Sequence, residues 1–397
     1  MRKLNTSHDT VSHEKYSYQR DIFDGNLLYE SFLRAKKGSD WKPKVQQFEM
    51  TYLFELADIQ KELMSETYHF LPTTEFTIHE RGKVRHITGE HIKDRVAKHA
   101  LCDEILSPAV RKYLIHDNGA SLKGKGIDFT RKRLLVHLQR YFRRHGSNEG
   151  YILIIDYSKY YDNIRHDVLM NQFREYVHDE FPLRFLERII KRSEVDISYM
   201  SDEEYQCCMK TVFNSLDYEK VDKSLLTGEK FMKKHLNIGD QVAQIAGIIY
   251  PIPIDNYVKI VKGVKEYARY MDDSYVIHES KKFLEDLLKD IIRIADSIGI
   301  TVNTHKTRIC KLSSLWRFLQ VQYSLTDTGR IIRKINPKRL TVMRRKMKKL
   351  AGRLTEKEFN DWYQSWYSNY YHLMSNVQKK NLNSLFKEVK NVYSYAA

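Results

Sequence analysis

YILIIDYSKYYDN, residues 151–163, is an apolar run that closes on an aspartate and then turns polar. Gly150 before it and the turn-like SKYYDN after it bracket a short buried strand, so Asp156 sits at a strand end. A lone carboxylate there faces a desolvation cost unless something compensates its charge. A second stretch, EYARY–MDD–SYVIHE at 266–279, alternates in strand fashion on both sides of a tight turn that carries Asp272 and Asp273. If the two stretches are neighbouring strands, all three carboxylates come together. Taken singly, an Asp closing a strand is usually a turn residue or helix cap, and Asp-Asp in a hairpin is often a solvated turn.

Working outward, Val45, Phe48, Tyr52, Leu53, Leu56, Ile59 and Leu63 recur at helical spacing and predict an amphipathic helix over 45–65. FTIHERGKVRHITG reads as a β-hairpin with Arg81-Gly82 at its tip, followed by a long helix over 93–113. NGASLKGKG, 118–126, is a glycine-rich basic loop, and FTRKRLLVHLQRYFRRH after it is a strongly basic helix. Residues 179–235 are richly charged and read as a mainly helical insertion. QVAQIAGIIY begins a helix that ends near Pro251 and Pro253. A helix over 280–298, a strand pair near 307–323 and a basic helical tail over 336–390 complete the chain.

The 397 residues can bury a large core, and 42% hydrophobic with 12% aromatic content excludes a disordered chain. Lys and Arg total 67 against 51 Asp and Glu, a formal charge of +16, for which a polyanion is the natural partner. The four cysteines show no C-x-x-C spacing, and no apolar run reaches membrane-spanning length. A reduced, cytoplasmic setting without a membrane is the expectation. Clustered carboxylates on rigid strands, open to substrate, are what nucleotidyl transfer asks for. Two magnesium ions about 3.5–4 Å apart activate the attacking hydroxyl and neutralise the leaving group.

These blocks, in this order from about residue 26 to 325, resemble the reverse transcriptases, particularly the bacterial branch of group II intron-like, diversity-generating and abortive-infection enzymes. ILIIDYSKYYDNIRHDVL resembles the first catalytic block and ARYMDDSYVI the second. The resemblance implies Asp156, Asp272 and Asp273 as catalytic metal ligands for two Mg²⁺, with Mn²⁺ an alternative since both accept oxygen ligands. Tyr161 matches the aromatic that excludes a ribose 2′-hydroxyl, and Tyr157, Tyr270 and Met271 complete the substrate-binding residues of these blocks. LNIGDQVAQIAGIIYPIPIDNY resembles the segment beneath template and nucleotide, which implicates Gly239 and Gln244. Ile238-Gly239 and Gln244 are closer to the diversity-generating relatives, though Ala243 stands where those carry Ser.

GKVRHITGEHIKDRV resembles the block that meets the triphosphate, so Lys83 and Arg85 are implied phosphate ligands. Lys123, Lys125, Arg131 and Arg133 would approach the template strand. GITVNTHKTRI implies Lys306 as a general acid or charge stabiliser at the pyrophosphate. SSLWRFLQVQYS resembles the primer-grip hairpin, with Gln320 replacing the family's Gly.

The implied fold is α+β, a right-hand polymerase. It has an N-terminal arm over 1–25, fingers and palm over 26–325 with the 179–235 insertion, and a helical basic thumb over 326–397. Its palm is an antiparallel sheet backed by helices. The implied reaction adds deoxynucleoside triphosphates to a primer 3′-hydroxyl on an RNA template, a noncoding RNA in the defence setting, giving DNA. An oligomer or accessory protein is compatible with it. A bacterial or phage-borne source with a role in antiphage defence or in diversification is the biological expectation. Untemplated or protein-primed synthesis, and a non-catalytic maturase-like RNA-binding role, are the rival readings.

Overall fold

The structure, a computed structural model, describes residues 23–80 and 83–393; the expected N-terminal arm falls outside them up to residue 22. Helices α1 (Gly25–Lys36), α2 (Pro43–Met50) and α3 (Tyr52–Met64) come first. The stretch expected as one helix over 45–65 breaks at Thr51, whose φ of −120° leaves the helical range. The break lets both Val45 and Phe48 of α2 and Leu56, Ile59 and Leu63 of α3 reach the same core. Strands β1 (Thr74–Glu80) and β2 (Lys83–Gly89) form the expected hairpin, in register from Thr74↔Gly89 to Glu80↔Lys83. Arg81 and Gly82 at its tip, and the side chain of Lys83, lie outside the described residues.

The helix expected over 93–113 is α4 (Ile92–Leu101) and α5 (Ser107–Arg111), joined by a π-turn over Cys102–Leu106. Pro108 explains the irregularity. It has no N–H for the carbonyl four residues back, so the ladder slips and Ser107 N–H donates to Cys102 O instead. Helix α6 (Ile127–His145) ends on Gly146, which at φ +68° takes the left-handed cap conformation.

Strand β3 (Tyr151–Ile155) is followed by α7 (His166–Tyr176) and α8 (Glu180–Lys191). The segment expected as one insertion divides here. Phe181, Leu183, Phe185, Leu186, Ile189 and Ile190 bury one face of α8 in the main core, so only the chain after it stands apart. That part, about 195–236, holds β4 (Val195–Asp196), α9 (Asp202–Lys210) and β5 (Phe231–Met232) around its own small core of Ile197, Phe213 and Met232. Helices α10 (Gln241–Ile249) and α11 (Ile252–Asn256) lead to β6 (Tyr267–Tyr270), β7 (Asp273–His278), α12 (Lys281–Ser297) and β8 (Arg308–Lys311).

The central sheet has the order β6-β7-β3-β8 and is antiparallel throughout. Both of its faces are covered, which is why β3 reads as an uninterrupted apolar run rather than an alternation. Leu153, Ile155, Tyr267 and Val276 face one core with α4, α10 and α12. Ile152, Ile154, Tyr275 and Ile277 face another with Leu134 and Leu138 of α6. The second core continues into β9 (Trp316–Phe318), β10 (Val321–Leu325) and β11 (Ile331–Ile335), a separate three-stranded sheet. It also takes in α13 (Pro337–Leu350), α14 (Glu356–Tyr370) and α15 (Asn376–Lys390). The strand pair expected near 307–323 is thus split, β8 joining the central sheet and β9 the outer one.

Candidate active site

Antiparallel register decides where the carboxylates lie. Ile155 pairs with Ser274, so Asp156, the residue just past the end of β3, continues toward Asp273, the first residue of β7. Tyr270 pairs with Asp273, leaving Met271 and Asp272 as the two-residue turn between β6 and β7. The carboxylates expected to converge therefore occupy one end of two neighbouring strands. Met271 takes φ +53°, a left-handed conformation that costs a residue other than glycine roughly 1–2 kcal/mol and persists only where its surroundings enforce it.

The chain after α12 runs alongside Asp156. Ser158 N–H donates to Thr301 O at 2.9 Å, Asn303 N–H to Asp156 O at 2.8 Å, and Asp156 N–H to Thr307 Oγ1 at 3.3 Å. Asn303 Oδ1 accepts from Lys306 N–H at 3.2 Å, an Asx turn that aims the lysine back across the strand. Lys306 Nζ then donates to Asp156 Oδ2 at 2.8 Å. Among the described residues no group of three or more His, Cys, Asp or Glu side chains is gathered as a ready-made metal cage. The donors fit a hard divalent cation nonetheless: they are carboxylate oxygens at an open strand end, and an ammonium already sits as a stand-in cation on Asp156.

Tyr161 lies in a 3₁₀ turn over Tyr161–Asn163, with its hydroxyl 3.6 Å from Met271 Sδ. It lies over Gly247 of α10, where a Cβ would come within 2.7 Å of the Tyr161 hydroxyl. Burial pushes the Tyr161 phenol up, so it stays neutral, and the positive charge of Arg85 acts on it in the opposite sense. Arg85 lies on β2, in the pair Ile78↔Arg85. Tyr157, expected to touch substrate, is 2% exposed and stacks on Tyr160, with ring centroids 5.8 Å apart. Tyr157 thus supports the site from within the core. Tyr270 packs between the two cores.

Gly239 takes φ +117°, which favours glycine, and abuts Thr88 at the end of β2. Gln244 is exposed on an otherwise buried α10, and with Gly239, Lys98, Glu90, Arg95 and Gln241 it lines a cavity of about 270 Å³. Two of the cations expected to meet a template instead hold the protein together. Arg133 Nε donates to Asp117 at 2.5 Å, and Arg131 Nη2 donates to Leu319 O at 2.8 Å. Lys125 donates to His116 O at 2.6 Å over the Phe129 ring, while Lys123 is exposed. The hairpin tip held by Arg131 turns through Leu319 and Gln320, at φ +41° and +71°. Gln320 Oε1 accepts from Arg339, which stacks on Tyr370. A side-chain contact thus accompanies the strained backbone at the position where the resemblance leads one to expect Gly.

Sequence reasoning missed the buried charges behind these residues. Arg269 is wholly buried. Its guanidinium donates to Asp255 Oδ2 at 2.6 Å, to Ile248 O at 2.8 Å and, at 3.4 Å, to Met271 O. Tyr267 adds a 2.6 Å hydrogen bond to Asp255 Oδ1, and Tyr160 donates to Gly247 O at 2.9 Å. Burial alone would lower the Arg269 pKa, but the Asp255 carboxylate outweighs it and the net shift is upward. Lys98 does the same for α10, joining Glu90 to Asp240 at its N-terminus, with Nζ 2.6 Å from Asp240 Oδ2. The available signal was an arginine inside YARY, a strand otherwise fit for burial, which requires a carboxylate partner.

A helix-backed antiparallel sheet with acidic residues at adjacent strand ends, joined to an outer sheet and a basic helical module, is the architecture of a right-hand polymerase. Residues 81–360, well over half of the chain, match the family described as reverse transcriptase (RNA-dependent DNA polymerase), and the chain belongs to it. Members of this family are nucleotidyltransferases that use divalent metal ions and copy RNA. No curated protein matches the chain. Solved structures similar to it include telomerase from Candida albicans in complex with a TWJ fragment of telomeric RNA, at 14% identity and a TM-score of 0.42, covering 68% of this chain and 46% of that one. Apo telomerase from Candida tropicalis is similar at 15% identity and a TM-score of 0.41, covering 66% and 48%. The chain spans about half the length of these proteins. Among the described residues no helix is long and apolar enough to cross a membrane.

Proposed function

We propose that this chain extends a primer 3′-hydroxyl with deoxynucleoside triphosphates on an RNA template, with Asp156, Asp272 and Asp273 holding two divalent ions. The observation that carries the reading is the register placing Asp156 across from the Met271–Asp273 turn. When bound, such ions acidify the attacking hydroxyl and neutralise the departing pyrophosphate. Lys306, released from Asp156, supplies a further positive charge at the leaving group. Arg85, with Lys83 from the same hairpin, orients the triphosphate, and Tyr161 over Gly247 closes the space beside the sugar. Gly239 and Gln244 line the adjoining cavity, where the templating base would rest.

Primer extension on an RNA template with Mg²⁺ tests this. Wild type should incorporate dNTPs, while Asp156→Asn and Asp272→Asn should lose at least about 100-fold in rate with unchanged melting. Equal activity of Asp272→Asn and wild type would exclude the site. The bacterial branch rests on Ile238-Gly239 and Gln244, which resemble diversity-generating and related bacterial enzymes, and a part in antiphage defence or in diversification rests on that subfamily resemblance. Sequencing RNA bound to the protein in its host tests both, a noncoding RNA from a defence cluster being the expected result. A template repeat beside a variable gene would point to diversification.

A further inference from the structure

The small 195–236 subdomain is attached to the chain over Tyr161–His166, the turn that carries Tyr161 and the start of α7. Leu236 N–H donates to Tyr161 O at 3.0 Å, His235 N–H to Ile164 O at 3.2 Å, and His166 N–H to Lys233 O at 3.1 Å. Between these backbone contacts, side chains continue the join. Asn163 Oδ1 accepts from Phe213 N–H at 2.9 Å while its Nδ2 donates to Phe213 O at 3.1 Å, so a side-chain amide serves as one rung of a β-ladder. Asp162 Oδ1 accepts from Ser215 Oγ and meets His235 Nδ1, each at 2.9 Å.

Geometry makes these contacts bear on Tyr161. In a 3₁₀ turn successive side chains point about 120° apart. When Asp162 and Asn163 are fixed in the subdomain, Tyr161 is turned toward Met271 and Gly247. His235 holds φ +113°, a conformation rare for an L side chain, and strain of that kind persists only where neighbours over-determine it. Here the neighbours are Asp162, Asn237 Oδ1 at 3.2 Å and His166, whose Nε2 lies 2.7 Å from His235 O. The subdomain's core of Ile197, Phe213 and Met232 is too small to fold alone, so its order and that of the Tyr161 turn depend on each other.

We infer that the 195–236 subdomain braces the nucleotide-selecting tyrosine, with Asp162, Asn163 and His235 as positioning residues that set how closely Tyr161 approaches the sugar and so how strongly ribonucleotides are refused. The inference rests on the proposed reading of Tyr161. Its test is the ratio of kcat/KM for a dNTP over the matching rNTP in Tyr161→Ala, Asn163→Ala and His235→Gly. Asn163→Ala leaves both polar groups of Phe213 without their partner and could unfold the turn. His235→Gly suits φ +113° and keeps the fold while cutting the link to Asp162.

Tyr161→Ala should collapse the ratio, and His235→Gly and Asn163→Ala should lower it about tenfold, chiefly through a lower KM for the rNTP. A fall in both substrates' kcat at constant ratio would mean a merely structural join and would overturn the brace. If Tyr161→Ala also leaves the ratio unchanged, the reading of Tyr161 itself falls and takes the brace with it. If Tyr161→Ala changes the ratio and the other two do not, only the brace falls.

Discussion

Replacing Arg269 with Met separates the stability of the central sheet from the placement of its acidic turn. The substitution leaves Asp255, 1% exposed, with Tyr267 as its remaining hydrogen-bond donor among those described, and takes a donor from Ile248 O and Met271 O. Removing one partner of a buried ion pair costs about 3–5 kcal/mol. For a chain of this size melting as one unit, that is a fall of roughly 4–6 °C in Tm. The effect on rate should be larger than that fall implies. The guanidinium is one of the groups that hold Met271 at φ +53°, and a shift of about 1 Å in reacting groups costs around 100-fold. Arg269→Met combined with Asp255→Leu replaces the pair by apolar groups and should recover most of the stability, as such replacements do. It should not recover the rate. Thermal melts beside single-nucleotide primer extension read both quantities. A double variant with wild-type Tm and wild-type rate would refute the reasoning, because the pair would then serve the fold alone.

Other perturbations probe the rest of the site. Lys306→Ala removes the ammonium that competes for Asp156; the pair is half-exposed on the lysine side, worth up to about 1 kcal/mol, so Mn²⁺ titration without nucleotide should show up to roughly fivefold tighter binding. Gly247→Ala drives a Cβ to within 2.7 Å of the Tyr161 hydroxyl, and primer extension should drop while Tyr161→Phe in the same chain, which removes that oxygen, restores part of it. Burial alone would raise the Asp117 pKa, but the His137 hydrogen bond and the Lys259 charge outweigh it and hold the carboxyl well below the usual carboxylate range. Stability from a depressed carboxyl is complete above its unfolded value and lost as pH falls through its folded one. The Tm gap between wild type and Asp117→Asn should therefore be constant from pH 7 to about 5 and narrow below about 4.

Periodicity and turn chemistry exposed the elements that meet water on one side or end at a turn. The 74–89 hairpin, the acidic strand end and the Met-Asp-Asp turn all announce themselves locally. Boundaries failed where one residue redirects the chain, as at Thr51 and Pro108, because apolar spacing continues through a break that changes only direction. The roles of cations failed for another reason. Arg131 and Arg133 look in sequence like exposed members of a basic helix, but whether a cation meets phosphate or a buried carbonyl depends on Leu319 and Asp117, distant or unmarked in the chain. The partners of Arg269 and Lys98 were illegible on the same ground: Asp255 in IPIDN and Asp240 in IGDQ read as ordinary turn acids until the fold encloses them.

Those buried charges explain how an open site can be rigid. A polymerase must leave its carboxylates accessible to substrate, so it cannot fix them by packing, and the restraint has to come from the opposite side of the backbone. Arg269 does this for the Met271 turn, reaching the carbonyls at the end of α10. The 195–236 subdomain does it for the turn of Tyr161. The two restraints meet at Gly247, whose carbonyl accepts from Tyr160 and whose missing Cβ admits Tyr161. Loosening either should therefore displace the tyrosine and the acidic turn relative to each other. Arg269→Met and Asn163→Ala should therefore couple, their combined effect on nucleotide incorporation departing from the two single effects added together by about 0.5–3 kcal/mol, as residues in one connected network do. Strict additivity in rate would mean that the two restraints act on separate parts of the site, and that Gly247 is where they touch without transmitting anything.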